Sequence, residues 1–360
     1  MGLLRRALAA AAFATAIGTT VLAAQGAPAP PPPPAPAPNP LTVGALVYTQ
    51  YQYFFSDSAQ GLNRFDVTRA YINVIGKWSN GMYARITGDI FTNTDSSRAY
   101  RLKYAYAAYT PAKSPLTYKA GLIHTPWLDW EETLWDYRVQ GSMPMERNGY
   151  LSSADFGLGI DGMFNHEQAN FQITAVNGEN YNKGTGDDGK DIQARLSVRL
   201  VPSDDPSRVG GLRITAYGGW GTPNTGGARS RVIGLISYKS KLFTLAAEAA
   251  STRDSTTGAP PAVPSTKPLN GHVYAAYGVY HVPHSHAAII ARVDRAKPQS
   301  GTVSVAASQW TNRYIAGISY QLTPQWRLLA DVDYLSYELT PTAAQKLQQG
   351  SAFFQTQINF

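Results

Sequence analysis

The chain has 360 residues, 44% of them hydrophobic and 15% charged, with 22 Tyr, 32 Gly and a formal net charge of +7. It contains no Cys, which excludes disulfides, thiolate catalysis and Cys-ligated metals and suits passage through an oxidising periplasm. Abundant Tyr and Gly with few charges fit a β-rich protein with aromatic girdles, and a mean hydropathy of −0.24 is what a membrane barrel shows when every second residue faces water.

At the N-terminus, Arg5 and Arg6 form a short positive segment, residues 8–21 are apolar or small, and Ala23, Ala24 and Ala27 offer cleavage sites. Residues 1–24 are therefore predicted to be a secretory signal peptide; the apolar run is shorter than the roughly 20 residues a spanning helix needs. Residues 25–40, which include APAPPPPPAPAPNP, are predicted to be an extended polyproline II linker in the periplasm.

From residue 41 to residue 360 the chain divides into alternating segments of about ten residues, the length a tilted strand needs to cross a bilayer. Sixteen are predicted, starting near Leu41, Arg64, Met82, Arg98, Leu116, Asp155, Ala169, Lys190, Gly211, Arg229, Lys241, Gly271, His286, Gln309, Gln325 and Ser351. The eighth is the clearest. Ile192, Ala194, Leu196, Val198 and Leu200 share one face, and Asp191, Gln193, Arg195, Ser197 and Arg199 share the other. A one-residue slip would put two arginines in lipid at roughly 2–4 kcal/mol each at the midplane. The last segment ends on Phe360, with Phe354, Thr356 and Ile358 on its apolar face and Gln355, Gln357 and Asn359 on its polar face. It resembles the terminal-Phe strand that the outer-membrane assembly machinery reads.

The connections alternate in length. Residues 79–81, 111–114, 165–168, 239–241, 283–284 and 322–324 read as short turns, and Asn80-Gly81 is a strong hairpin signal. Residues 201–210, with Pro202 and Pro206, form the one longer turn on that side. Residues 177–189, 221–227, 252–268, 296–308 and 338–349 read as long polar loops. Short at one end and long at the other is the pattern of outer-membrane barrels. The expected fold is all-β: a 16-stranded antiparallel transmembrane β-barrel whose last strand closes on its first.

The third long connection, residues 124–150, is too aromatic for a solvated loop. Trp127, Trp130, Trp135, Tyr137 and Met145 call for burial, which an inward-folded third extracellular loop with a short helix over 128–137 would provide. Its expected constriction residues are Trp127, Asp129, Trp130, Glu131, Glu132, Trp135, Asp136 and Arg138. The inward wall positions carry Arg69, Lys77, Arg85, Arg101, Lys103, Lys119, Arg195, Arg199, Arg213, Arg231, Lys239, Arg292, Arg313 and Arg327. The inward acids are fewer: Asp89, Asp161, Asp191, Glu248, Asp294, Asp331 and Asp333. Excess positive charge in a lumen concentrates anions, and an acidic loop facing a basic wall sets up a transverse field. Arg85 with Asp89, and Arg327 with Asp331, lie four residues apart on one face and are expected to neutralise part of it.

Residues 65–90, FDVTRAYINVIGKWSNGMYARITGDI, and 100–127, YRLKYAYAAYTPAKSPLTYKAGLIHTPW, resemble the second to fifth strands of the phosphate-selective porin O and P family. There a strand ending in Tyr-x-Pro leads to a Lys/Arg-x-Gly-x strand, and Thr-Pro opens the third loop. The resemblance implies a sixteen-stranded trimeric channel in the outer membrane of a Gram-negative cell, with anion selectivity. Phosphate selectivity in that family resembles a ladder of arginines and a lysine, partly on the inward loops. The third loop here is acidic and lacks Lys, so the barrel and passive transport carry over and the phosphate substrate does not.

The function expected is an outer-membrane porin passing small hydrophilic solutes and ions by passive diffusion, with mild anion preference. The alternatives are a channel selective for phosphate, polyphosphate or organic anions, and a structural or adhesin barrel. No catalysis is expected: His281, His284 and His286 cluster at one hairpin without a fitting Ser partner. Asp187-Asp188-Gly189 resembles a fragment of a calcium loop but lacks the later ligands, so neither cofactor nor metal is expected. Nor is nucleic-acid binding, because the basic residues alternate on lumen faces. Expected partners are outer-membrane lipid, small anions or polar solutes, further copies of the chain in a homotrimer, and the assembly machinery through Phe360.

Overall fold

The computed structural model describes residues 40–56, 61–92, 97–181, 188–222, 227–256, 269–297, 309–339 and 349–360. The expected signal peptide, nearly all of the proline-rich linker and Asp187 lie outside the described residues. The strands are β1 (Leu41–Phe54), β2 (Asn63–Lys77), β3 (Met82–Thr92), β4 (Arg98–Tyr109), β5 (Leu116–His124), β6 (Ala154–Phe164), β7 (Ala169–Val176), β8 (Asp191–Val201), β9 (Gly211–Gly221), β10 (Gly227–Lys239), β11 (Phe243–Thr256), β12 (Leu269–His281), β13 (Ala287–Lys297), β14 (Thr311–Thr323), β15 (Trp326–Tyr337) and β16 (Gly350–Asn359). Each starts within two residues of its expected position. Each pairs antiparallel with its neighbours in sequence, and β1 pairs with β16, closing the barrel. No helix among the described residues is long and apolar enough to cross a membrane; the crossing elements are strands.

The closing seam runs from Leu46 opposite Asn359 to Phe54 opposite Ser351. On its inner side Gln355 donates to Gln50 at 3.1 Å and Gln52 to Ser351 at 3.0 Å. On its outer side Phe354 is 49% exposed. β13 shows the same sorting: Ile289 and Val293 are exposed, while Arg292 and Asp294 are buried. Apolar outside and polar inside inverts the pattern of a water-soluble sheet, and it is the pattern a lipid-facing barrel requires.

Register shifts break strict alternation at four places, two of them near strand ends, at Arg199–Val201 and Gln321–Thr323, and two within the wall. The β1–β2 register shifts between Tyr48 and Thr49, leaving Thr68 as the extra residue. Phe65 and Val67 face out before it, Ile72 and Val74 after it, and Thr68 and Arg69 line one cavity together. The β3–β4 register shifts between Thr87 and Gly88, so that Lys103 is extra. Tyr100 and Leu102 face out while Lys103 and Tyr104 are both buried. A bulge re-aims side chains by one position. Arg69, Arg101 and Lys103 keep their expected inward face, and Tyr104 joins them, which simple alternation does not foresee.

The long connection after β5 holds α1 (Leu128–Trp135), a 3-10 turn (Arg138–Gln140) and α2 (Pro144–Arg147). Its Trp127, Trp130, Trp135, Tyr137 and Met145 are buried, as their chemistry demands.

The β2–β3 turn closes on Gly81 at φ +87°, where a Cβ would meet the Thr110 carbonyl oxygen at 2.2 Å. Gly81→Ala is therefore expected to cost more than the roughly 1–2 kcal/mol of a left-handed alanine. Urea unfolding followed by heat-modifiable mobility measures this, with Asn80→Ala as the milder comparison.

Candidate functional site

The long connection is held from the wall by its own backbone. Arg195 donates to the Pro126 carbonyl at 3.0 Å, Arg292 to Ser142 at 3.0 Å and Arg231 to Tyr150 at 3.3 Å. Lys239, at the short-turn end of β10, donates to the carbonyls of Thr133 and Leu134 at 3.1 and 3.3 Å. It thereby caps the end of α1, where helix carbonyls lack partners and a cation is favoured. Arg327 donates to the Asp136 carbonyl at 2.6 Å and carboxylate at 3.0 Å. Each donor sits on the inward face of its strand, so the loop lies inside the barrel.

The tryptophans pack on an apolar stretch of that inner wall. Trp135 meets Tyr277 edge-on at 5.3 Å and Trp127 lies 5.9 Å from Tyr217. Ile233, Leu235, Val273, Val279, Ile290 and Leu329 complete the cluster. These inward positions are apolar where a plain polar lumen was expected. The trace in the sequence is that β10 and β12 carry apolar residues on both faces, the mark of strands covered on both sides.

Two unfilled spaces lie on the opposite side, and another, of about 250 Å³, lies between the loop and β6–β10, lined by Asp155, Asp191, Tyr217, Arg229 and Arg231 of the wall and by Glu146 and Tyr150 of the loop. Of the two on the opposite side, one cavity of about 270 Å³ is lined by Tyr48, Tyr71, Asn73, Arg85, Lys103, Tyr104 and His124 of the wall and by Asp129, Glu132, Asp136 and Arg138 of the loop. A second, of about 390 Å³, shares Tyr48 and Arg138 and adds Arg69, Arg101, Thr68 and residues 139–142. Of the expected wall residues, Arg69, Arg85, Arg101 and Lys103 line these two cavities. Arg195, Arg231, Arg292 and Arg327 instead hold the loop. Arg199 and Arg213 bond the His166 and Glu167 carbonyls of the β6–β7 turn. Lys119 pairs with Asp161 and Arg313 with Asp333, and Lys77 is exposed at the short-turn end of β2. Trp127, Trp130, Glu131 and Trp135 are sealed between loop and wall.

The expected Arg85–Asp89 and Arg327–Asp331 pairs do not form. Residues four apart on a strand are about 13 Å apart, whereas neighbours on adjacent strands are about 5 Å apart. Asp89, fully buried, instead binds Arg69 at 2.8 Å and Arg101 at 3.1 Å. Asp331 accepts from Gln140 at 3.5 Å. Arg85 donates to Thr87 and Asn73, both at 2.9 Å, and to His124 at 3.2 Å. Lys103 donates to the Tyr71 hydroxyl at 3.0 Å and lies 4.7 Å from that ring's centre. Neither Arg85 nor Lys103 has a carboxylate partner among the described residues.

The loop's acids are more compensated than their sequence suggests. Arg138 bridges Glu132 at 2.7 Å and Glu146 at 2.8 Å. Burial draws the Arg138 guanidinium down, but these two carboxylates hold it above its ordinary value. Burial raises the Asp129 carboxyl, yet Arg208 and His124 keep it below the usual range. Glu131 is pushed well above that range, by burial first and by Glu248 beside it. Burial and the neighbouring Arg292 draw Arg147 down to about 9. Arg208 was not foreseen. It lies in the longer β8–β9 turn, at residues 202–210, and donates to the Asp129 carbonyl, its carboxylate and the Thr133 hydroxyl, each at 2.8 Å. Its signal in the sequence is the length of that turn among short ones.

Because the Glu131 carboxyl is raised in the fold, the folded chain holds this proton to higher pH than the unfolded chain does. Stability is then greatest below the ordinary carboxylate value and falls as pH rises through it. Glu131→Gln is expected to flatten that fall, read as the difference in urea midpoint between pH 4 and pH 8.

No protein-family model matches the chain, and no curated protein matches it in sequence. Among solved structures the chain is similar to an anion-selective porin from Comamonas acidovorans, with 12% identity and a TM-score of 0.64 over 89% of this chain and 99% of that one. It is similar to Salmonella typhi OmpF in complex with daunomycin, with 12% identity and a TM-score of 0.63 over 89% and 97%. It is also similar to the outer membrane channel DcaP of Acinetobacter baumannii, with 11% identity and a TM-score of 0.61 over 89% and 97%. At these identities the likeness establishes the fold: a closed barrel of the outer-membrane porin type.

Proposed function

We propose that the chain is an outer-membrane porin, exported through the periplasm, which passes small hydrophilic solutes and ions by passive diffusion with mild preference for anions. The observation that carries this reading is the charge around the open space. Arg85 and Lys103 lack carboxylate partners among the described residues, and beside them Asp89 bridges Arg69 and Arg101. Across from them Asp129, Glu132 and Asp136 are each tied to an arginine. A lumen with net fixed positive charge enriches anions, and the field from wall to loop is weaker than an unpaired acidic loop would give. One similar structure is an anion-selective porin. Another, OmpT of Vibrio cholerae, is a trimer form, which supports a homotrimer here. Kinship with the O and P porins rests on the strand motifs of residues 65–90 and 100–127.

A channel selective for phosphate, polyphosphate or organic anions is the second reading. Its support is that the cations are fixed on aromatic rings: Arg101 lies 4.6 Å from Phe91 and 4.7 Å from Tyr181, and Arg85 lies 4.7 Å from Tyr104. Cations held this way present a set geometry to an anion.

Reversal potentials across planar bilayers in a salt gradient test both readings. Wild type is expected to favour anions, and Arg85→Gln with Lys103→Gln to lower the anion-to-cation permeability ratio by roughly twofold or more. Strong cation selectivity in the wild type overturns both. Block of chloride current by added phosphate favours the selective channel, and a barrel with no conductance favours the structural role.

A further inference from the structure

The outer face of the barrel has a feature that conduction does not use. In β11 Arg253 precedes Asp254, and in β13 Asp294 precedes Arg295. Alternation turns the acids inward, where Asp254 binds Arg231 and Asp294 binds Arg292. It leaves Arg253 and Arg295 exposed on the outside, near the long-loop end. His272 of β12 pairs in register with Lys297, Tyr274 with Arg295, and Asn270 with Arg253. Three cations and a histidine therefore share one outer patch on three adjacent strands. Trp310 covers it: the Arg295 guanidinium lies 4.8 Å from its ring centre, and the rings of Tyr274 and His272 stack at 6.0 and 6.3 Å. None of these basic groups has a carboxylate partner among the described residues. The acid nearby, Glu338, accepts from the Trp310 backbone N–H at 3.3 Å.

Two residues further toward the short-turn end, about 7 Å along the strands, the outer face opens into an apolar trough of about 530 Å³. Its floor is made of small residues, Ala247 opposite Ala276 and Gly278 opposite Ala291, with Ile236 and Leu245 among its walls. The stacked pair Phe243 and Tyr280 lies beyond it, with centroids at 5.3 Å. Thus a basic patch capped by an indole stands directly over an acyl-sized groove.

We infer that this strip of β10–β13 holds a lipid of the outer leaflet whose headgroup carries phosphate. The phosphate oxygens accept from Arg295, Lys297 and Arg253 as charge-assisted hydrogen bonds. Trp310 sits at the headgroup level, where its amphipathic ring is favoured, and an acyl chain fills the trough. The inference rests on the reading that the barrel lies in the outer membrane with its long loops outside. A phosphate headgroup suits the patch better than a second barrel does, because the outward positions of the described strands offer these cations no acid. An apposed copy would bury them unpaired, at high cost.

Native mass spectrometry of the full chain in detergent tests the site, with a bis-phosphorylated glycolipid as probe and phosphatidylcholine as control. Wild type is expected to retain the glycolipid selectively. The triple variant Arg253→Gln, Arg295→Gln, Lys297→Gln should retain about tenfold less, roughly 1.4 kcal/mol, and Gly278→Leu, which fills the trough, should also retain less. Equal retention of phosphatidylcholine, or unchanged retention in the triple variant, overturns the inference. Full displacement by inorganic phosphate reveals a bare anion site and overturns it too. Loss of the oligomer in these variants, with lipid retention unaltered, assigns the strip to a second copy. The variants lie outside the lumen, so conductance and reversal potential are expected to stay unchanged. A wild type that retains the lipid but does not conduct refutes the pore and leaves the lipid result standing.

Discussion

The pairing of β1 with β16 is the constraint on which the rest depends. In a bilayer there is no water for a free sheet edge, so every strand must be bonded on both sides. Closure fixes the register of the seam from Leu46–Asn359 to Phe54–Ser351, and register fixes which residue of each strand meets lipid. A shift of one residue at the seam would bring Gln355 and Gln52 to the outside and Phe354 to the inside. The inverted sorting, with arginines and aspartates buried and isoleucines exposed, follows from that closure.

Within this cylinder the inward arginines divide into two kinds of work. Arg195, Arg231, Arg292 and Arg327 give hydrogen bonds to the loop backbone, supplying donors to carbonyls that would otherwise be buried unpaired. Arg69, Arg85, Arg101 and Lys103 border the open space. The difference comes from the apolar patch on the inner wall of β10–β15, which draws the tryptophans to one side. Each large apolar side chain so buried contributes roughly 1.5–3 kcal/mol, enough for packing to decide where the loop lies and for the hydrogen bonds to set its register. Much of the space left over is on the side of β1–β4, where the bulges at Thr68 and Lys103 concentrate cationic and aromatic side chains.

Much of this was legible from the chain because strands have a period of two and turns have their own residues. Strand starts, the long and short connections, the eighth strand's faces and the burial of Trp127, Trp130 and Trp135 all depend on neighbours close in sequence. The partners of charges were not legible. Asp89 found Arg69 and Arg101 on adjacent strands instead of Arg85 on its own, and Asp136 found Arg327. The bulge at Thr68 has no Gly or Pro beside it, and the glycine at the Lys103 bulge, Gly88, lies on the facing strand, so Tyr104 could not be placed in advance. Arg208 could be found only once the β8–β9 turn and α1 were seen in contact.

The sequence by itself determined that the chain is a sixteen-stranded barrel with one heavily aromatic loop, because alternation and turn chemistry are local and repeat over its whole length. Tertiary structure alone decided which cations stay uncompensated in the lumen and which basic residues gather on the outside. Ion pairing and cavity shape depend on which strands lie side by side and on where a packed loop leaves room. Neither of these is written in the spacing of residues along one strand.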